Sequence, residues 1–232
     1  MFLEILKIKN TLSYIYKLVN PYFIMFTKRG VVYIIVISLI LGFTLSLISN
    51  LKNFTEMLFI SLLIIFTNVI FKEFSTNYYD LKIEHRIWEI KRYGFSPRNH
   101  FKNPFPIGAL IPFFSFVLSA GYFVWLNVLT FDSKPEIYRV AKRRGFYGYS
   151  DSSEMHEGII AFFGVIGNLI VGIVGLLLGF PLFAQLNFLY AFCSCIPLGK
   201  LDGNKILFAE PFLLKISFLL TLCLWICSTI FL

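Results

Sequence analysis

The chain has 232 residues, 57% of them hydrophobic and 15% charged, with a net charge of +8 and a mean hydropathy of +0.75. Soluble domains are about a quarter charged, so this composition excludes an ordinary soluble domain and predicts an all-α, polytopic membrane protein. The basic balance comes with no base-stacking motif. It reads as loop charge that orients a membrane protein, not as a nucleic-acid surface, and nucleic acid is not an expected partner.

Residues 1–30 form a basic flank carrying Lys7, Lys9, Lys17, Lys28 and Arg29 among apolar and aromatic residues. Such a segment can lie along the membrane surface as an amphipathic helix, or simply orient the first span. It lacks the compact apolar core and small-residue cleavage site of a secretory leader. Residues 31–232 read as one transmembrane domain. Four apolar runs reach the length of roughly 18 or more residues that marks a span: Val31–Ser49, Pro106–Thr130, Ile159–Phe180 and Pro211–Leu232. Two shorter runs, Met57–Phe71 and Leu182–Leu198, each end in an unusual polar motif. About six spans are expected, in the cell membrane, with the lipid bilayer as the immediate surroundings.

The basic stretches 1–30 and Lys82–Lys102 flank the first two spans, which predicts that both are cytoplasmic. The third basic stretch, Arg139–Arg144, then falls outside if Pro106–Thr130 crosses. Either one apolar run does not cross fully, or the first two loops fix the overall orientation less firmly than their charge implies. Gly179-Phe180-Pro181 predicts a tight break between two helices, and Asp132–Glu157 is expected to be a polar loop. The glycines at 164, 167, 172, 175 and 179 suit close helix packing in lipid. Asn168, an amide in the middle of that run, needs a partner. Cys193, Cys195, Cys223 and Cys227 sit in apolar runs without zinc-site spacing and read as small packing residues.

The two polar motifs carry the chemistry. The first is Phe71-Lys72-Glu73-Phe74-Ser75-Thr76, and the second runs from Ser194 through Pro197 to Leu201-Asp202-Gly203. In HExxH, two histidines four apart on one helical face bind zinc while the glutamate between them activates water. A third ligand from elsewhere completes the set. With Arg86-Ile87-Trp88 and Phe163-Gly164-Val165-Ile166-Gly167-Asn168 lying between the motifs, the chain over about residues 57–207 resembles the site-2 proteases, intramembrane zinc metalloproteases of the archaeal-like type. The resemblance implies that Glu73 corresponds to the general base, Asp202 to the third metal ligand, and Lys72 and Thr76 to the two histidines. Asn168 and Gly203 fall on further elements of the family pattern. Val165, Ser194 and Lys200 depart from it.

An ammonium and a hydroxyl do not replace two imidazoles on zinc, so no cofactor is expected. The resemblance then implies a non-catalytic relative that binds membrane-spanning protein segments or regulates an active protease. Two other readings remain open: an active metalloprotease with unorthodox ligands and zinc, or a small transporter or channel with Glu73, Asp202 and Asn168 along an ion path. Lys72 is expected to place its charge beside Asp202, where the metal would have been, and Glu73 is expected to come close to Asp202. Taken singly, Lys72 and Glu73 also read as the charged flank of a span, and Asp202 as a helix N-cap. His85, His100 and His156 read as solvated or interfacial.

Overall fold

A computed structural model describes residues 28–48, 53–79, 81–92, 100–135 and 153–230. The flank at residues 1–27 and the basic stretch Arg139–Arg144 lie outside the described residues. Among those described, the chain is mostly helical: α1 (Lys28–Ile48), α2 (Phe54–Tyr79), α3 (Ile107–Leu118), α4 (Glu154–Leu177), α5 (Pro181–Cys195), α6 (Asp202–Ala209) and α7 (Pro211–Ile230). Four of these, α1, α2, α4 and α7, are long and apolar enough to cross a membrane. Many of their large apolar side chains, such as Phe43, Phe59, Ile173 and Leu219, are exposed, as lipid-facing residues would be.

The helices pair by close backbone approach. In the α1–α2 hairpin a methyl group added at Gly42 would fall 2.8 Å from the Leu58 backbone, and the Ser61 hydroxyl donates to the Ser38 carbonyl at 2.9 Å. The positions that meet therefore run in opposite directions along the two helices. The α4–α5 hairpin repeats the pattern, with Gly172 against Phe188 and Gly175 against Phe183. Its break is local. Gly179 adopts φ +80, a conformation that costs glycine little, and Pro181 opens α5, where its missing N–H is not needed. At the other end of α4 the Ser153 side chain accepts from the His156 N–H, with Glu154 and Glu157 in the first turn.

Two antiparallel pairs of strands accompany the helices: β1 (Leu81–Ile87) with β4 (Leu129–Pro135), and β2 (Ile90–Arg92) with β3 (His100–Phe105). An all-helical chain was expected. Strands form here because Leu81, Ile83 and His85 alternate inward while Lys82 and Arg86 face out. The expected polar loop 132–157 accordingly begins as strand and ends as the first turn of α4.

The run Pro106–Thr130 is not one span. Helix α3 ends at Leu118, the chain turns through Ala120 (φ +51) and Gly121 (φ +87), and residues 123–128 return extended alongside the helix. The return is tied to α3 by its hydroxyls. The Phe123 N–H donates to Ser119 Oγ at 3.0 Å and the Trp125 N–H to Ser115 Oγ at 2.8 Å. At the base, both ends fasten to one residue: Trp88 N–H donates to the Val128 carbonyl, and Gly108 N–H to the Trp88 carbonyl. Helix α2 also departs from expectation. It runs on to Tyr79, so Lys72–Thr76 lie within the helix and not at the flank of a span.

Candidate functional site

The α2 positions Asn68, Lys72 and Thr76 are four apart and so share one face. All three are buried, as is Glu73. Lys72 is fully enclosed, and its Nζ lies 2.6 Å from Asp202 Oδ2, with both side chains at 0% exposure. The pair joins positions 130 residues apart in sequence. What makes room for it is Gly164 on α4, where an added methyl would fall 2.7 Å from Lys72 Cε and 2.9 Å from Asn68 Nδ2. Such room is unusual: a charge buried without a partner is among the costliest arrangements in a protein.

Asp202 is the first residue of α6, and Leu201 precedes it as the cap. It is therefore not an N-cap; its carboxylate is spent on Lys72. Gly203 lets α6 press against the end of α5, since a methyl there would meet the Ile196 carbonyl oxygen at 2.5 Å. Gly199, in the turn before, has φ +53 and packs against the Trp88 ring. Thr130 Oγ1 donates to the Lys200 carbonyl at 2.7 Å, fastening the same turn to β4.

Glu73 faces His85, with Oε1 and Nε2 3.7 Å apart. His85, expected to be solvated or interfacial, is buried, because the alternation of β1 turns it inward. Burial, with the nearby Lys72 and Lys205 charges, holds its pKa down at about 3, so the ring is neutral. His156 is half-buried and lies 4.8 Å from the Tyr79 ring. The side chain of His100 lies outside the described residues.

Sequence reasoning did not single out Lys205. Its Nζ sits 3.5 Å from the centre of the Phe131 ring, donates to the Phe131 carbonyl and lies 3.3 Å from Glu157 Oε2. Glu157 Oε1 in turn accepts from Ser133 Oγ at 2.5 Å. Together these join α6, β4 and the start of α4 around an open cavity of about 270 Å³ lined by residues including Asp132, Glu154, Lys200 and Asn204. Asn68 was equally legible, being one turn before Lys72 within an apolar run.

Several buried polar atoms have no hydrogen-bond partner among the described residues. They include both amide atoms of Asn68, Asn127 and Asn168, the Tyr190 hydroxyl and Asp202 Oδ1. Asn168 was expected to need a partner, and its partner is not among the described side chains.

The donor set does not suit zinc. An ammonium has no lone pair to offer, and Asp202 Oδ2 is already held by Lys72. The Thr76 hydroxyl donates to the Glu73 carbonyl at 2.7 Å. Among the described residues no three His, Cys, Asp or Glu side chains gather as ligands would. Cys193 and Cys195 are buried, whereas Cys223 and Cys227 are exposed on α7; all four are free thiols.

No family model, no curated protein and no solved structure matches this chain.

Proposed function

We propose that this is a multi-pass cell-membrane protein of the site-2-protease type in which a buried ion pair has replaced the catalytic metal, and that it binds or regulates membrane-spanning partner segments without cleaving them. The observation that carries this reading is the Lys72–Asp202 contact, 2.6 Å long and wholly enclosed. The two residues stand at the first histidine position and the aspartate position of the family pattern. A lysine charge placed where a metal cation would sit offsets the same carboxylate, so the bundle keeps its interior arrangement without the chemistry. Glu73 retains the place of the general base, but with an ammonium and a hydroxyl at the two histidine positions, and Lys72 on Asp202 Oδ2, the residues around it offer no ligand set for the metal whose water such a base would activate. Six spans would require α3 and α5 to cross as well as the four long helices.

Metal analysis tests the reading. Purified wild-type protein should hold no stoichiometric zinc, and the Lys72→His/Thr76→His variant should acquire about one equivalent. Tightly bound zinc in the wild type would sink the non-catalytic reading. A folded double-histidine variant that stays metal-free would sink the site-2-protease alignment.

The second reading, a small transporter or channel, draws on the buried amides of Asn68 and Asn168, which have no hydrogen-bond partner among the described residues, in the bundle that also encloses the Lys72–Asp202 pair. Polar groups at membrane depth mark ion and substrate paths. It predicts ion flux in proteoliposomes that Asn168→Leu abolishes. Absence of flux from correctly folded protein counts against it.

A further inference from the structure

We infer that the described residues cross the bilayer five times, through α1, α2, α4, α5 and α7, with their basic, strand-bearing face on the anionic cytoplasmic leaflet, and that residues 107–128 dip into that leaflet and return without crossing. The inference rests on reading the chain as a membrane protein, and not on the protease resemblance.

The chain itself supplies the geometry. Strand β1 pairs with β4 from Leu81↔Pro135 to Ile87↔Leu129, so the segments before and after the apolar run 106–130 lie side by side. Trp88 bonds both Gly108 and Val128, which closes the base of the element. A span cannot begin and end at the same residue. Helix α3 has 12 residues, about 18 Å of rise, against a hydrocarbon core of about 30 Å. Its far end is apolar and outward-facing, with Phe114, Val117, Leu118 and Tyr122 exposed. The returning segment is shielded instead, with Val124, Leu126, Asn127 and Val128 buried. Its amides at 123 and 125 are satisfied by Ser119 and Ser115. Non-helical backbone at membrane depth is tolerated only where protein covers it in this way.

The remaining ends then sort onto two faces. Helix α2 leads directly into β1, and the antiparallel α1–α2 hairpin puts the start of α1 on the same face. Helix α4 leaves from that face, where Glu157 meets Ser133. After α5 the chain is back, because Lys200 bonds Thr130, and α7 departs from there. Lys82, Arg86, Lys102, Lys134, Lys200 and Lys215 all belong to this face. On the opposite face, the 178–180 turn has no basic residue, and the sequence that links α1 to α2 holds one, Lys52. Arg139–Arg144, which broke the charge rule when 106–130 was counted as a span, falls into line once that run returns. Cytoplasmic loops carry the excess of Lys and Arg, and an anionic leaflet attracts them.

Cysteine labelling of the full chain in cells decides the matter, with a membrane-impermeant maleimide applied before and after permeabilisation. The wild type serves as the blank for its own four thiols. Lys102→Cys and Lys134→Cys should both react only after permeabilisation, and Phe180→Cys should react in intact cells. Tyr122→Cys should resist the impermeant reagent in either state yet react with a lipid-soluble maleimide. Lys91→Cys and Lys200→Cys, also exposed, form a second pair should either of the first two fail to accumulate. Labelling of positions 102 and 134 from opposite faces would show that 106–130 crosses and overturn the inference. So would labelling of Tyr122→Cys in intact cells, or of Phe180→Cys only after permeabilisation.

Discussion

Two groups of opposite charges in this molecule differ chiefly in their surroundings. On the outer face of the β1–β4 pair, Arg86 lies 3.3 Å from Glu84 and from Asp132, and Lys134 lies 3.3 Å from Glu84. These side chains are between about a third and two thirds exposed, so water already solvates them and each contact is worth about 0–1 kcal/mol. Lys72 and Asp202 form a single contact, but both are fully enclosed. Each then depends on the other, because neither can turn to solvent. The pairing that stabilises little on the sheet becomes indispensable in the bundle, and its cost is felt when one partner is removed.

The largest expected effect follows directly. Lys72→Met should lower stability by about 3–5 kcal/mol, because it strands a buried carboxylate. Combining it with Asp202→Asn should restore much of the loss. A double-mutant cycle from thermal unfolding in detergent measures the coupling; a coupling near zero would erase the contrast with the surface network.

The next effect is one of pH. His85 is neutral in the folded protein, with a pKa of about 3, whereas in the unfolded chain it protonates near 6.5. Its folded pKa is depressed, so the stability it contributes is present above about 6.5 and is lost as pH falls toward 3. Acidification from pH 7 to pH 5 should cost about 2 kcal/mol from this site alone. His85→Gln should flatten that part of the pH profile. An unchanged slope would mean that His85 already binds a proton in the fold.

Gly203→Ala should cost about 1–3 kcal/mol, because its new methyl meets backbone and not a movable side chain. Thermal unfolding reads it, with Gly179→Ala as the comparison. A methyl added at Gly179 would meet nothing within 4 Å, so only the positive φ is penalised there, by about 1 kcal/mol.

The smallest effects belong to the sheet. Lys134→Gln should change stability by less than about 1 kcal/mol. Its clearest signature is on Glu84, whose carboxyl is held below the usual range by hydrogen bonds from Lys134 and then Arg86. That small contribution is present above the ordinary carboxylate range and disappears as pH falls through the lowered value. In Lys134→Gln the Glu84 titration should move back up, read by NMR. A loss as large as that of Lys72→Met would refute the contrast.

The sequence by itself marked the runs 31–49, 159–180 and 211–232, where the structure has helices long and apolar enough to cross a membrane, because the transfer of an apolar run into lipid depends on that run alone. It also marked the break at Gly179–Pro181, which two residues enforce locally. It drew attention to Lys72 and Asp202, since charges at the ends of apolar runs are conspicuous wherever they lie. Only the tertiary structure decided that 106–130, as apolar as a true span, turns back. Its fate depends on β1 meeting β4 and on Trp88 holding both its ends, and neither contact leaves a mark on local hydropathy. The same holds for His85, which a period-two pattern turns inward against Glu73, and for the 2.6 Å contact between Lys72 and Asp202. Hydropathy is summed along the chain, whereas a buried charge is stabilised only by whatever the fold brings to it across space.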